Sequence, residues 1–301
     1  MIRKPYEWKL RQRTLVLGVR TLVMGVLNLT PDSFSDGGQY LDPEVAYARA
    51  LQIQEQGADL LDIGGESTRP GSPRIPASEE LARLVPVLKK LRHKLDIPLC
   101  LDTYKAEVAA RGLDLGAEIV NDISGLTWDP ALAEVVNQRD AGLVLVHLRG
   151  APDTWARLAP LPDVMGAVAR DLQAALGRAR RAGIDRRRIV IDPGLGFGKR
   201  GDQNYEILTQ LSRLHALEHP ILVGASRKSF LGSTLNRPEQ ERIFGTAAAV
   251  TASILMGAHI IRVHDVQEMA QVAQVADELL RAEQNRAAQA VARPPDSRPR
   301  R

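Results

Sequence analysis

The sequence predicts an α/β protein with a (β/α)8 TIM barrel, and three observations support this fold class. Short apolar, β-rich runs alternate with longer amphipathic segments from residue 22 onward. There are eight such units, and their mostly apolar strands indicate a parallel sheet covered by helices. The length of 301 residues also fits, since this barrel needs about 250. An open, doubly wound sheet is the competing architecture.

The eight predicted strands are short apolar runs, at residues 22–27, 60–63, 99–101, 118–120, 143–146, 189–191, 221–223 and 260–263. The predicted helices span residues 43–56, 78–93, 106–115, 130–139, 163–182, 204–214, 239–256 and 266 to about 283. Asp42 and Asp129 each precede a proline, which is typical of an N-cap followed by the first helical residue. Gly57 and Gly183 stand where helix C-caps belong.

The two ends of the chain differ from the repeating units. Residues 8–10 and 14–17 are β-rich and predict a short N-terminal hairpin that closes the barrel floor. Residues 284–301 are rich in proline and arginine and lack apolar residues to bury, which predicts a disordered basic tail. We therefore expect one barrel domain at residues 1–283.

The basic isoelectric point, about 9.3, comes from the ends of the chain. Residues 1–21 carry a net charge of +5 and residues 284–301 carry +4, so the total of +4 leaves −5 for residues 22–283. An acidic body argues against a nucleic-acid partner. The single cysteine, Cys100, excludes an internal disulfide and a cysteine-based zinc site, and its apolar surroundings predict a buried thiol. Without a signal-peptide pattern or a membrane-length apolar run, we expect a cytoplasmic protein with no membrane partner.

Polar residues follow the predicted strands at the points where these end. The strands of a parallel barrel all end on one face, where active sites of this fold are built, so these residues should share one pocket. Core packing is a poor explanation for so many of them, because buried charges need partners. The main ones are Asn28, Asp62, Asp102, Asn121, His147, Asp192, Lys228 and Arg262. His147 has no second histidine or cysteine nearby and is interpreted as a wall or core residue.

The acidic and amide side chains among them, Asp62, Asp102, Asn121 and Asp192, suit a ligand rich in N–H donors, such as an aminopyrimidinone. Structural ion pairs with Lys228 and Arg262 are the alternative.

Cationic residues cluster after the last two strands. Barrel phosphate sites commonly occupy this corner, so Arg227, Lys228, Arg262 and His264 predict a site for phosphate or diphosphate. Asn28 could supply a carbonyl oxygen to Mg²⁺, which prefers oxygen ligands and bridges phosphates.

Two of the four phenylalanines, Phe34 and Phe197, lie in polar or glycine-rich loops. Both could sandwich an aromatic substrate, or alternatively anchor their loops. The glycines around Phe197 follow the spacing G-x-G-x-G, which lacks the dinucleotide-binding pattern.

Taken together, these motifs resemble the dihydropteroate synthase family. The resemblance covers about residues 14–280, and its motifs occur in the family's order. They are NLTPDSFSDGG at 28–38, DIGGESTRPG at 62–71, DT at 102–103, NDI at 121–123, DPGLGFGK at 192–199, SRKS at 226–229 and RVHD at 262–265.

The resemblance implies an enzyme of folate biosynthesis that is a sulfonamide target and commonly a homodimer. It joins 6-hydroxymethyl-7,8-dihydropterin diphosphate to p-aminobenzoate, giving 7,8-dihydropteroate and diphosphate. By this analogy the pterin is held by Asp102, Asn121, Asp192 and Lys228, with Arg262 stacked over it. Asn28 contacts Mg²⁺ and His264 the diphosphate. The p-aminobenzoate site is formed by Thr68, Pro70, Phe34, Phe197 and Ser229, with Asp36 and Arg69 on the loops that close it. The predicted catalytic residues are Asp102, Lys228, Arg262 and Asp36.

Three other functions compete with this interpretation. A pterin-binding methyltransferase would share the acids that hold the pterin, but would not need the loop at 28–38 or the cationic corner. A non-catalytic pterin-binding paralogue would be favoured by departures in the closing loops, where Phe34, Asp36, Thr68 and Arg69 all fit the family. A nucleic-acid-binding protein conflicts with the acidic body.

Overall fold

The computed structural model describes residues 3–30, 42–69 and 71–292. Its main sheet has eight parallel strands, β3 to β10, which contain the eight predicted apolar runs or most of each. They are β3 (Leu22–Asn28), β4 (Leu60–Gly64), β5 (Leu99–Asp102), β6 (Ile119–Asp122), β7 (Gly142–Val146), β8 (Ile189–Asp192), β9 (Leu222–Val223) and β10 (Ile260–Val263). The strand order is β8-β7-β6-β5-β4-β3-β10-β9.

The two edges of this sheet meet, so the sheet forms a barrel. A parallel bridge joins Ile191, in β8, to Ile221, directly before β9. The backbone N–H of Ile191 also donates to the carbonyl of Pro220 at 3.0 Å. The predicted barrel is therefore confirmed, and the open doubly wound sheet is wrong.

Helices cover the outside of the barrel in nearly every predicted interval. They are α1 (Pro43–Glu55), α2 (Ala77–Leu91), α3 (Ala106–Asp114), α4 (Ala131–Gln138), α5 (Val164–Arg181), α6 (Gly201–Thr209), α7 (Ser229–Leu235), α8 (Ile243–Leu255) and α9 (Val266–Ala292). The Asp42 carboxylate caps α1 by accepting from the N–H of Glu44 at 2.8 Å. Gly57 and Gly183 follow α1 and α5 with φ of +98° and +82°, as the C-cap prediction requires.

Four helical regions differ from the prediction. The predicted helix at 204–214 is replaced by α6, Gly201–Thr209, and a 3-10 helix, Leu211–Leu217. Helix α7 was not predicted, because seven residues that include Gly232 give too short a periodic pattern. The predicted helix at 239–256 divides into a 3-10 turn, Glu239–Glu241, and α8. Helix α9 continues to Ala292, so the predicted disorder is wrong for residues 284–292, and residues 293–301 lie outside the described ranges. No helix in the described ranges is long and apolar enough to cross a membrane.

The predicted N-terminal hairpin forms and closes the lower end of the barrel. Strands β1 (Tyr6–Lys9) and β2 (Thr14–Leu17) pair antiparallel. Trp8 is fully buried with the residues that fill the barrel interior, and its indole N–H donates to the carbonyl of Arg188 at 2.9 Å. Leu10 packs closely against Gly142, the first residue of β7. A Cβ atom at position 142 would lie only 2.5 Å from Cδ2 of Leu10. The opposite end of the barrel is left for the site.

Candidate active site

A cavity of about 440 Å³ opens at the carboxyl ends of the strands. Asn28 and Asp102 are the last residues of β3 and β5, and Arg262 lies in β10. The predicted site residues that line the cavity are Asn28, Thr68, Arg69, Asp102, Phe197, Lys228, Ser229, Arg262 and His264. Segments from most of the chain length therefore meet at one pocket, as the strand-end pattern predicted.

Arg262 bridges two carboxylates at the bottom of this cavity. Its Nε donates to Oδ2 of Asp62 at 2.6 Å, and its Nη2 donates to Oδ2 of Asp102 at 2.8 Å. Burial alone would lower the pKa of Arg262, but the two carboxylates more than offset it and the pKa is raised. Asp62 is fully buried beneath the cavity and also accepts from Nδ2 of Asn121 at 3.2 Å. In this structure Asp62 therefore orients Arg262 and Asn121.

Burial also shifts the two other acids of the site. It raises the pKa of Asp102 to about 7, although Arg262 opposes the shift. It raises the pKa of Asp192 to about 6. Two groups oppose this rise: the N–H of Gly194, which donates to the carboxylate at 2.6 Å, and the charge of Lys228. Both acids consequently change charge near neutral pH.

Two buried oxygen atoms under the cavity have no hydrogen-bond donor within the described part of the chain. They are Oδ1 of Asp62 and Oδ1 of Asn121. A buried acceptor without a donor is costly, and most such atoms in proteins have a partner. Together with Asp102 and Asp192, they give this end of the site an excess of acceptors. Asp62, Asn121 and Asp192 do not line the cavity, so a ligand with several N–H groups would satisfy these acceptors only by reaching beneath it.

Lys228 provides a positive charge that protein carboxylates do not neutralise directly. It follows β9, it is half-buried, and its Nζ lies 4.1 Å from the centroid of the Phe197 ring. Among the described residues, no carboxylate lies within ion-pair distance of this Nζ. Burial and the neighbouring Arg262 lower the pKa of Lys228 to about 8. The charge is thus available to a ligand at neutral pH.

The other predicted cations contribute less charge than their residue types suggest. Burial, reinforced by Arg262 and Arg227, lowers the pKa of His264 to about 3, so its imidazole is neutral. Its Nδ1 lies 3.0 Å from Oγ of Ser226, which fixes the ring. Arg227 forms a two-point ion pair with Asp265. Of the four predicted cations, Lys228 is therefore the one whose positive charge has no carboxylate partner among the described residues.

The glycine-rich loop holds Phe197 at the cavity. Gly194, Gly196 and Gly198 have φ of +65°, +80° and +72°, which explains the glycine at each position. Lys199 fastens the loop because its buried Nζ donates to the carbonyls of His147, Pro193 and Gly194. The Phe197 ring packs edge-on against Trp155 at 5.4 Å between centroids, and both line the cavity.

Two loops form the mouth of the cavity. Thr68 and Arg69 come from the loop after β4, and the guanidinium of Arg69 pairs with Glu239 at 2.9 Å. Ser229, the first residue of α7, is exposed at the same mouth. Phe34, Asp36 and Pro70, which the family resemblance placed in this region, lie outside the described residues.

Some cavity residues were missed by the sequence analysis. Trp155 lies in a short 3-10 turn between β7 and α5. The chain has only three tryptophans, so one in a polar segment could have indicated a binding residue. Ser226 belonged to a recognised motif, but nothing in its type predicted contact with His264. Glu66 and Arg242 also line the cavity. Their side chains reach it from loop and helix positions that periodicity does not resolve.

Asn28 lines the cavity and offers an amide oxygen to a metal ion. Across the described residues, no group of three or more histidine, cysteine, aspartate or glutamate side chains could hold a metal ion. This donor set fits Mg²⁺ bound chiefly by phosphate oxygens and water, with one protein ligand.

The fold and the site are those of a barrel enzyme whose pocket combines buried acceptors with cationic side chains. The family model described as pterin binding enzyme matches residues 24–264. The chain is 46% identical to the dihydropteroate synthase of Synechocystis sp. over 88% of its length and 92% of that protein. It is 41% identical to the enzyme of Bacillus subtilis, over 87% and 89% of the two chains. The chain belongs to the dihydropteroate synthase family.

Solved structures agree with this assignment. The dihydropteroate synthase of Yersinia pestis, in complex with a sulfonamide drug, superposes with a TM-score of 0.87 at 40% identity and covers 92% of this chain and 99% of its own. The Xanthomonas albilineans enzyme with 4-aminobenzoic acid gives a TM-score of 0.85 at 39% identity, over 92% and 98% of the two chains.

Proposed function

We propose that this protein condenses 6-hydroxymethyl-7,8-dihydropterin diphosphate with p-aminobenzoate, forming 7,8-dihydropteroate and diphosphate. The observation that carries the proposal is the division of the cavity into two parts. Buried acceptors from Asp62, Asn121 and Asp192 lie under it, and the cations Lys228 and Arg262 lie on one side. A pterin diphosphate has a matching N–H-rich ring and a polyanionic end.

The pterin ring would take the acceptor-rich end. Its amino and ring N–H groups would donate to Asp102, Asp192 and Asn121. Arg262 would leave part of its contact with Asp102 and stack on the ring face, while Asp62 keeps it attached to the barrel. The diphosphate would extend toward Lys228 and the neutral His264, whose Nε2–H is free to donate once Ser226 fixes Nδ1.

Asn28 would hold Mg²⁺ together with diphosphate oxygens and water, and the ion would supply charge neutralisation of the leaving group. A titration of diphosphate-substrate binding with and without Mg²⁺, in the wild type and in Asn28→Ala, tests this role. Equal Mg²⁺ dependence in both proteins would argue against Asn28.

The chemistry then depends on charge stabilisation. The C–O bond between the pterin methylene and the diphosphate breaks, and the resulting positive charge spreads into the ring beside Asp102 and Asp192. Lys228 and Arg262 stabilise the departing anion. The amine of p-aminobenzoate forms the new C–N bond and its proton passes to solvent. No strong nucleophile of the protein is required.

The p-aminobenzoate site would lie at the mouth, between Thr68, Ser229 and the pair of rings Phe197 and Trp155. Phe34, Asp36 and Pro70 are proposed to complete this site on the strength of the family resemblance alone.

A homodimer is supported by an exposed apolar surface on the last two helices. Phe244, near the start of α8, is 84% exposed, and Val275 and Leu279 of α9 are 64% and 53% exposed. Helices α8 and α9 pack against each other, so these exposed apolar side chains lie on neighbouring helices and are candidates for an interface. Light scattering of the wild type and of Phe244→Asp tests this proposal. A monomeric wild type at micromolar concentration would contradict it.

One assay separates the proposed function from its competitors. The purified protein is mixed with the pterin diphosphate, Mg²⁺ and p-aminobenzoate, and diphosphate release is measured with and without the arylamine. We expect release coupled to formation of 7,8-dihydropteroate. Binding of the pterin without any condensation would instead favour the non-catalytic paralogue. The methyltransferase alternative is not favoured, because the similar proteins are dihydropteroate synthases.

A further inference from the structure

A buried ion network lies next to the cavity, where the loop after β4 meets α2 and α3. Lys105, which immediately precedes α3, contacts the carboxylates of both Glu66 and Glu80, the latter at 2.5 Å. Each of these three side chains is no more than 12% exposed. We call Glu66, Glu80 and Lys105 the Lys105 triad. None of them has a part in the reaction proposed above.

One side of the triad is fixed to the barrel. Lys105 follows Asp102 by three residues, and its backbone N–H donates to Oγ1 of Thr103 at 3.2 Å. The next residue, Ala106, donates its backbone N–H to Asp129 at 2.7 Å. Glu80 is buried in the first turn of α2. The ammonium of Lys105 therefore has a defined position relative to Asp102.

The other side of the triad is the mouth loop, defined as residues 65–69. Glu66 accepts from the hydroxyl of Tyr104 at 3.1 Å as well as from Lys105. Two residues later, Thr68 lines the cavity, and Arg69 crosses the mouth to Glu239. Lys105 thus attaches the loop that carries Thr68 and Arg69 to the barrel wall.

Lys105 supplies the positive charge of this attachment, beside the Tyr104 hydroxyl on Glu66 and the bond from Nη1 of Arg83 to the carbonyl of Gly65 at 2.7 Å. It is the cation between two carboxylates, and burial raises the pKa of Glu80 while Lys105 opposes that shift. Without the ammonium, Glu66 and Glu80 would repel each other in a poorly solvated place. Glu80 is held in a helix, so Glu66 and its loop would move toward solvent.

We propose that Lys105 is a positioning residue that sets the affinity for p-aminobenzoate by fixing the mouth loop. The inference rests on the proposed function and adds a specificity determinant to it. The acceptors for the pterin are on β4, β5, β6 and β8 and do not belong to this loop. Losing Lys105 should therefore weaken binding of the second substrate and leave binding of the first nearly unchanged.

The test compares Lys105→Met with the wild type by steady-state kinetics in both substrates. We expect KM for p-aminobenzoate to rise at least about tenfold, with KM for the pterin diphosphate and kcat within about twofold. Lys105→Arg keeps the cation and should restore most of the affinity. Lys90→Met is the matched control, because Lys90 forms an exposed pair with Glu44 far from the mouth loop.

Two outcomes would overturn the inference: an unchanged KM for p-aminobenzoate in Lys105→Met, or a parallel rise in both KM values. If Lys105→Met does not fold, Glu66→Ala decides, since it frees the loop and leaves the pair of Lys105 with Glu80. Glu66→Ala should reproduce the selective rise in KM for p-aminobenzoate. Where the double variant folds, its KM should be no higher than that of the single variants, because both changes break the same contact. A wild type that forms no dihydropteroate would refute the proposed function itself, which is a separate result.

Discussion

Nη2 of Arg262 lies 2.8 Å from Oδ2 of Asp102, although 160 residues separate them along the chain. A guanidinium presents the same row of N–H donors that the amino-pyrimidine edge of a pterin presents. A pterin that donates to Asp102 must therefore share or replace this contact. Arg262 would not be lost from the site, because its second bond, to Asp62, is made by a different nitrogen.

Asp102→Ala should lower turnover by about 10²–10³, because it removes one electrostatic contact that stabilises the electron-deficient ring. The fold should survive, since Arg262 keeps Asp62 as its partner. Diphosphate release and thermal unfolding measure the two effects. Asp114→Ala, which changes an exposed aspartate at the end of α3, is the control. Native-like unfolding with undiminished product formation would refute the assignment of Asp102.

Lys228→Ala should reduce turnover by a similar factor of about 10²–10³, because the departing diphosphate loses a positive charge that no carboxylate of the described residues pairs with. Burst or steady-state measurement of diphosphate release tests this. Lys89→Ala, on the surface of α2, serves as the control. Full activity in a folded Lys228→Ala protein would remove Lys228 from the mechanism.

The pH dependence of kcat/KM should be bell-shaped, because this parameter reports ionisations of the free enzyme. Activity should fall on the acid side as Asp102 and Asp192 are protonated, with pKa values of about 7 and 6. It should fall on the alkaline side as Lys228, with a pKa of about 8, loses its proton. Arginine keeps its charge to higher pH than lysine, so in Lys228→Arg the alkaline fall in kcat/KM should shift to higher pH. An unmoved limb would assign that ionisation to another group.

His259 should make the protein less stable in acid. Its Nδ1 accepts from the N–H of Ile221 at 3.1 Å and its Nε2 lies 3.0 Å from the carbonyl of Lys4, so the buried ring is neutral. Burial lowers its pKa to about 4 from an ordinary 6.5. The unfolded chain then binds the proton more tightly, and stability is lost as the pH falls from 6.5 toward 4, by about 1.4 kcal/mol per pH unit.

Denaturant unfolding between pH 7.5 and 5 measures this dependence in the wild type and in His259→Gln. The variant should be less stable at pH 7.5 but should show a flatter pH dependence. His93→Asn, which changes an exposed histidine, should retain the wild-type slope. Equal slopes in all three proteins would show that His259 does not couple protonation to folding.

The strand ends could be predicted from sequence because the change from apolar to polar residues coincides with the end of each strand. Asp102, Asn121 and Asp192 were found in this way. Asp62 is predicted in the same way, but the pattern does not show that its carboxylate also pairs with Arg262 beneath the cavity. Residue type likewise predicted a charge on His264, which burial among other cations removes.

The contacts between distant loops could not be predicted from one sequence. Lys105 is separated from Glu66 by 39 residues and from Glu80 by 25, and nothing in their local patterns pairs them. Helix α7 was missed because a seven-residue element has less than two full turns of periodicity. Such features depend on which side chains pack together in three dimensions, and a hydrophobic pattern does not predict these pairs.

The hairpin that fills the lower end of the barrel has a consequence for traffic through the enzyme. Among the described residues, Trp8, Leu10 and Leu17 fill that end and the cavity opens at the other, so reactants and products would share that opening. Under the proposed function, a pterin seated deepest in that opening would have to bind before the arylamine, and the joined product would leave by the same side.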